Sequence, residues 1–400
     1  MAVRRHMPHR DPCLLYTSPF ATQLLARLGA EVVKVESPDG GDSGRLSLPA
    51  IADPEGRMVG ATFLRNNLNK RSVSINLKDP RGRQLVLDLA ARFDVFAENF
   101  KGGALLRLGL GYDDVRAVNP RVVYVSVSGF GGDDTSPYHG WPAYAPVVEA
   151  MSGLYETKRR EGEAPRVAPG GSLGDMGTSM FATVGILAAL YQRDRTGVGQ
   201  HIDVAMLDST VAMTDIITNY WSLGMPGGVD PPIIMHGFRA SDGWFILQVG
   251  RVQQFAALAR LIGHPEWISD PHLADRQGWY DSIESVIRPA VEAWASGRTK
   301  MESCRELGAA GLAAGPCLRD DEVVADPHLA ARDMLVEMAR PDGVEQPVVF
   351  PNNPIRMSGV PDGPARRVPW FAEHTDEVLR ADLALDDVAL FELREAGVIV

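Results

Sequence analysis

The chain of 400 residues holds only three cysteines, Cys13, Cys304 and Cys317, and no CxxC pair. That excludes a disulfide framework and a cysteine metal site, and leaves free thiols in a reducing compartment as the expectation. Long apolar runs are missing too, since no stretch approaches the roughly 18 uninterrupted apolar residues that span a bilayer. The basic leader MAVRRHMPHRDP has no apolar segment with a small-residue cleavage site behind it. It does not read as a secretory signal, and a cytoplasmic protein with no membrane partner is expected. Basic charge is in the minority: 40 Lys and Arg stand against 51 Asp and Glu, a formal net charge of −11. This is the wrong sign for a general phosphate-backbone binder, so nucleic acid is not an expected partner.

What is present matches a folded globular chain, with 45% hydrophobic and 23% charged residues at a length that buries a core without staples. An acidic chain that takes an anionic ligand must concentrate its few cations, which makes cation clusters the features to search for.

Residues 20–204 alternate short β-rich runs with helical ones, the pattern of βαβ units around a parallel sheet. A helix over 21–28 stops at Gly29 before a strand over 31–36. A strand over 72–77 precedes Asp79-Pro80, an N-cap with proline at the first helical position, which opens a helix to Phe93. Strands over 94–97 and 122–127 flank a short helix beyond Tyr112. The strongest helix runs over 176–193, with an apolar stripe of Met180, Phe181, Val184, Leu187, Ala188 and Tyr191. A strand over 201–204 and a helix over 206–223 follow. The Pro/Gly-rich segment 226–232 reads as a linker to a smaller α+β domain, with a hairpin over 238–249 and helices over 252–261, 281–294 and 301–310.

Three segments have the residue types for chemistry. Lys70 and Arg71 lie at a loop-to-strand junction and read either as a solvated edge or as a phosphate contact. Asn99, Phe100 and Lys101, with Arg107 a turn later, sit just past a strand end, where open α/β sheets bind ligands; an ordinary strand-to-helix turn is the competing reading. Asp175 stands at the start of the strongest helix inside PGGSLGDMG. It reads either as a helix cap or as a carboxylate nucleophile, held ionised by the helix end and with glycines beside it leaving room for an electrophile. Gly129-Phe-Gly-Gly132 lacks the dinucleotide fingerprint. His139, His201 and His236 have no metal-ligand spacing, and Asp203 and Asp208 read as structural caps, so no metal is expected.

With these features in order, the chain resembles the class III CoA-transferases, the family of formyl-CoA:oxalate and carnitine CoA-transferases and the related α-methylacyl-CoA racemases. The resemblance rests on LGAEVVKVE (28–36), NKRSVSINLKDPRG (69–82), DVFAENFKGG (94–103) with RLGLGY (107–112), NPRVVYVSVSGFG (119–131), AMSGL (150–154), GDMGTSMFATVGILAALYQRDRTGVGQHIDVAMLD (174–208) and GPCLRDDEVVADPHLAARDML (315–335). It implies an α/β fold: a Rossmann-like large domain with a parallel sheet, built from residues 1–224 and 331–400, a small α+β domain at 225–330, and two chains interlocked as a homodimer.

The resemblance also implies that Asp175 attacks an acyl-CoA and that CoA passes to a small carboxylic acid, with coenzyme A as substrate and no cofactor bound permanently. Lys70, Arg71, Asn99, Phe100, Lys101 and Arg107 then hold the CoA adenine and phosphates, and Tyr144 stands near the active site. A racemase or isomerase of the same family is the alternative. Its His-Asp pair would fall at Tyr144-Ala145, which removes the histidine base. Ala145 also replaces the acidic residue of formyl-CoA transferases, an argument against formyl-CoA and oxalate as substrates. The altered turn from Cys13 to Pro19 and the reduced glycine run, Gly227 and Gly228, leave a catalytically impaired CoA-binding protein as a further reading.

Overall fold

The computed structural model describes residues 10–400 apart from 15–16, 101–102, 133–134, 158, 160–161, 168–172, 226–231 and 361–365. The chain divides into two compact units, Met1–Gly227 with Arg332–Val400, and Gly228–Ala331.

The first unit begins with β1 (Arg10–Leu14), α1 (Thr17–Arg27) and β2 (Glu31–Glu36). A hairpin of β3 (Ala50–Ala52) and β4 (Met58–Gly60) leads through α2 (Ala61–Asn66) to β5 (Arg71–Ser74) and α3 (Pro80–Ala90). Then come β6 (Val95–Glu98), α4 (Ala104–Arg107), α5 (Tyr112–Val118), β7 (Val123–Ser128), α6 (Ala145–Met151), α7 (Leu173–Thr196), β8 (Gln200–Ala205), α8 (Met206–Met213) and α9 (Asp215–Ser222). Six strands form one parallel sheet in the order β5-β2-β1-β6-β7-β8. Counted along the chain this is third, second, first, fourth, fifth, sixth, so the order reverses between β1 and β6. Open sheets of this kind bind ligands beyond the carboxyl ends of the strands at such a reversal.

Side-chain alternation builds the two covering layers. Val33, Val35, Val73, Phe96 and Tyr124 face a core closed by Leu85, Leu89 and Val115. Val95, Ala97, Val123, Val125 and Val127 face Ala21 and Leu25 of α1 and Ala182, Ile186 and Leu190 of α7. Strands covered on both faces read as continuous apolar runs, which is why Glu31–Glu36 was legible as a strand. Gly29 has φ +102° and ends α1, and Asp79 Oδ1 accepts from Arg81 N at 2.8 Å to start α3.

Several elements depart from the sequence expectation. The basic leader has no strand pattern in its sequence, yet backbone pairing of residues 10–14 with β2 and β6 makes β1 central to the sheet. The helix over 206–223 is two helices, because Thr214 leaves the helical region (φ −107°, ψ 32°) and its hydroxyl bonds back to Thr210 O at 3.0 Å. The apolar stripe of α7 is its exposed face: Val184 is 65% exposed, and Met180, Phe181, Leu187 and Tyr191 are exposed with it. The buried face is made of smaller residues, among them Gly174, Thr178, Ala182 and Thr183. Among the described residues α7 alone is long and apolar enough to cross a membrane, and half of it is buried in this fold.

The second unit holds β9 (Ile234–Ala240), β10 (Gly243–Val249), α10 (Val252–Leu261), α11 (Arg276–Asp281), α12 (Arg288–Ala295), α13 (Lys300–Ala309), β11 (Ala313–Pro316), α14 (Asp320–Val324) and α15 (Pro327–Ala331). Its antiparallel sheet runs β11-β10-β9, and its core includes Phe238, Phe245, Phe255 and Trp279. The helix expected over 281–294 is interrupted at 282–287, and α12 starts afresh with Pro289 in its first turn. The segment with Gly227 and Gly228 lies outside the described residues.

The chain then returns to the first unit as β12 (Leu335–Met338), β13 (Val348–Pro351), α16 (Thr375–Leu383) and α17 (Asp387–Glu395). Val378, Leu379, Leu390 and Ile399 complete the core beside β5. His374 N donates to Ser72 O at 2.9 Å, and Asn76 N donates to Val398 O at 2.8 Å.

Candidate active site

At the carboxyl edge of the sheet, the turn after β6 is pinned from two sides. Asn99 Nδ2 donates to Val127 O at 3.0 Å, and Glu98 Oε2 accepts from Phe100 N at 2.8 Å. Phe100 packs half-buried on the core and forms one wall of a cleft of about 230 Å³, with Val35, Ile75, Leu77 and Leu108 as its other apolar walls. An apolar cleft of this kind suits an aromatic ring. Lys78, 82% exposed, stands on its rim in an ion pair of 3.1 Å with the equally exposed Asp39. So exposed a pair is easily exchanged for an anionic ligand.

The floor of the cleft is a buried charge network. Lys34 Nζ lies 2.7 Å from Asp42 Oδ2. Glu36 Oε1 accepts from Arg45 Nη2 at 2.7 Å and Ser72 Oγ at 2.6 Å, and its Oε2 accepts from Arg45 Nε at 2.7 Å and Asp42 N at 2.9 Å. Burial pushes the Glu36 carboxyl upward, but Arg45, Lys34 and Ser72 outweigh it and hold it below the ordinary carboxylate range. Glu36 ends the second strand, where a dinucleotide-binding sheet keeps a carboxylate for a ribose diol. With four donors on two oxygens, it has no acceptor position left for one.

The expected phosphate contacts divide. Lys70 is 0% exposed, and its ammonium donates to Pro19 O at 2.7 Å and Asn67 Oδ1 at 3.0 Å. Arg71 is buried against Glu31, Glu377 at 3.2 Å and Asp382 at 3.7 Å. Both cations are tied within the fold, and their burial argues against the phosphate contact expected for them from sequence. Arg107 is exposed, and its Nη1 lies 3.2 Å from where a Cβ on Gly103 would stand, so the guanidinium covers the turn after Phe100. Lys101 lies outside the described residues.

Asp175 is partly buried on the first turn of α7. The glycines beside it do not open space as expected. A Cβ on Gly174 would stand 3.0 Å from Val148 Cγ2 and 3.3 Å from Ala145 Cα, and one on Gly177 would stand 2.1 Å from Met213 Cε. They let α6 and α8 close on the helix start. Tyr144, 73% exposed, precedes α6, so the Tyr144-Ala145 pair borders the turn that carries Asp175. Residues 168–172 of the glycine-rich loop lie outside the described residues.

Sequence reasoning missed Lys78, Glu149 and a polar row across three strands. Glu98 pairs in register with Ser126, and Ser126 with Asp203. Ser126 Oγ lies 2.9 Å from His201 Nε2. Burial, with the Asp203 charge adding to it, raises the Glu98 carboxyl against the opposing Phe100 N–H and Ser126 hydroxyl. Burial lowers the His201 imidazole in spite of Asp203 and Asp113. Lys78 had a legible signal, a cation between a strand and a capped helix. The row had none, because strand register is invisible in one sequence.

A parallel sheet in this strand order, with an apolar cleft beyond its carboxyl ends and an aspartate on a neighbouring helix start, gives the class: an open-sheet α/β protein, of the kind that binds ligands at the strand ends. The model of CoA-transferase family III matches residues 11–375. A formyl-CoA:oxalate CoA-transferase of Streptomyces coelicolor is 33% identical over 97% of this chain and 97% of its own length. A succinyl-CoA:glutarate CoA-transferase of Mus musculus is 33% identical over 97% of this chain and 88% of its own. The crystal structure of a CAIB/BAIF family protein from Brucella suis superposes with a TM-score of 0.81 at 31% identity, covering 94% of this chain and 98% of that one. The chain belongs to CoA-transferase family III and is a CoA-transferase.

Proposed function

We propose that this protein moves CoA from an acyl-CoA donor to a small carboxylic acid through covalent intermediates on Asp175. The Asp175 carboxylate attacks the thioester carbon, the C–S bond breaks, and CoA thiolate leaves a mixed anhydride. The thiolate then attacks the aspartyl carbonyl, releasing the donor acid and leaving an aspartyl-CoA thioester. An acceptor carboxylate attacks that thioester and expels the thiolate again. Attack of the thiolate on the acceptor carbonyl yields the new acyl-CoA and returns Asp175 as carboxylate. Two activated intermediates on one side chain let a weak nucleophile exchange groups of similar energy.

The observation that carries this reading is Asp175 on the first turn of a 24-residue helix, in a chain matched to the family over residues 11–375. Phe100 and the cleft receive the adenine, with Lys78, Lys101 and Arg107 supplying charge for the phosphates. Substrate binding at these few cations is how an acidic chain accommodates a polyanion. A second copy of this chain covers the exposed stripe of α7, because contiguous apolar surface of that kind marks an interface.

Incubation with an acyl-CoA followed by hydroxylamine or borohydride tests the chemistry. Mass spectrometry is expected to find the modification at Asp175, and Asp175→Ala is expected to lose turnover. Full transferase turnover in that variant would refute the nucleophile.

A further inference from the structure

The start of α7 is held by a residue from another helix. Gly174 N–H is among the first amides of α7, which have no acceptor inside the helix. It donates to Glu149 Oε1 of α6 at 2.9 Å, and Glu149 is 2% exposed. Tyr155 Oη donates to the other oxygen, Oε2. Among the described residues no cation forms an ion pair with Glu149. Glu149 thus joins the first turn of the 24-residue α7 to α6 through a buried bond.

The other side of the same backbone is also tied. Thr178 Oγ1 donates to Gly174 O at 2.5 Å, and Ser179 Oγ donates to Asp175 O at 2.7 Å. The N–H and carbonyl of Gly174 and the carbonyl of Asp175 therefore all have side-chain partners. With α6 resting directly on Gly174, the backbone at Asp175 cannot turn without breaking a buried bond. Its side-chain torsions are then the main freedom left to the carboxylate. Attack on a bound thioester needs a nucleophile held within a few tenths of an ångström of a productive position.

We infer that Glu149, supported by Tyr155, is the positioning residue for Asp175, an inference that rests on Asp175 being the nucleophile. Glu149 touches no reacting atom. It acts through the Gly174 amide and fixes where the aspartate stands when the thioester arrives.

The test compares Asp175→Ala, Glu149→Ala, Glu149→Gln and Tyr155→Phe in the full chain, measuring kcat, KM for acyl-CoA and the rate of acyl-enzyme formation in a single turnover. Asp175→Ala is expected to be inactive; turnover there overturns the nucleophile reading and this inference with it. Glu149→Ala is expected to lower kcat and the single-turnover rate about 10- to 100-fold, with KM for acyl-CoA within about threefold. Glu149→Gln keeps an acceptor oxygen for the Gly174 amide and is expected to recover kcat to within about threefold of wild type. Should Glu149→Ala not fold, Tyr155→Phe removes one hydroxyl only and is expected to slow acyl-enzyme formation about threefold or more at unchanged KM. An inactive Asp175→Ala beside Glu149→Ala or Tyr155→Phe variants of wild-type kcat overturns the positioning role and leaves the nucleophile standing. A loss in Glu149→Ala that glutamine does not recover also overturns it.

Discussion

Ser126 Oγ and His201 Nε2 meet at 2.9 Å across neighbouring parallel strands, and the same serine pairs in register with Glu98, whose Oε2 accepts from the Phe100 amide. One wall of the cleft is thus tied to a histidine on the edge strand. The unfolded chain protonates that histidine near pH 6.5, while burial keeps it neutral to lower pH in the folded protein. Below 6.5 the unfolded state binds more protons, so stability falls as pH falls through that range. His374, also lowered by burial, has the same sign. Chemical denaturation between pH 7.5 and 5 is expected to show this loss, and His201→Gln to show a shallower slope. An unchanged slope in both His201→Gln and His374→Gln would refute the assignment.

Two lysines eight residues apart are expected to fail in opposite ways. Lys70→Met leaves Pro19 O and Asn67 Oδ1 without their buried donor, which costs about 1–3 kcal/mol in a denaturation midpoint. Lys78→Ala breaks only an exposed pair. Its stability is expected to stay within about 0.5 kcal/mol while KM for acyl-CoA rises about threefold to tenfold, an effect that shrinks at high salt.

Gly41 has φ +78°, and a Cβ there would stand 2.7 Å from Glu36 Oε2 and 2.9 Å from Phe371. Gly41→Ala therefore strains the backbone and presses on the carboxylate that anchors Arg45 and Ser72. A loss of about 1–3 kcal/mol is expected, read as a lower unfolding temperature.

Val184 and Leu187 are exposed on the outer face of α7. Val184→Glu puts a charge into any interface that face makes. Sedimentation is expected to show a dimer for the wild type and a shift towards monomer for the variant. A wild type that sediments as a monomer at micromolar concentration would refute the dimer.

The βαβ rhythm was legible because parallel strands covered on both faces must be apolar throughout, and because Asp79-Pro80 and Gly29 mark helix ends by local backbone chemistry. Asn99 and Phe100 were legible as a strand-end turn for the same reason. Lys70 and Arg71 show the other side, since a sequence shows charge and not depth. Only the tertiary structure seats one ammonium under Pro19 and Asn67 and one guanidinium among Glu31, Glu377 and Asp382. The stripe of α7 makes the same point, since helical periodicity shows that a face is apolar and not what it meets.

The sequence alone determined the βαβ rhythm of the first unit, the helix ends at Gly29 and Asp79-Pro80, and, through its motif series, the resemblance to CoA-transferases. Those features depend on residues within a few positions of one another or on their order. Tertiary structure decided which cations are free to meet a ligand, that Glu36 has no oxygen left for a ribose, and that Glu149 holds the peptide ahead of Asp175. Each of these depends on strand register and helix packing between residues far apart in the chain, where burial, and not residue type, sets the chemistry.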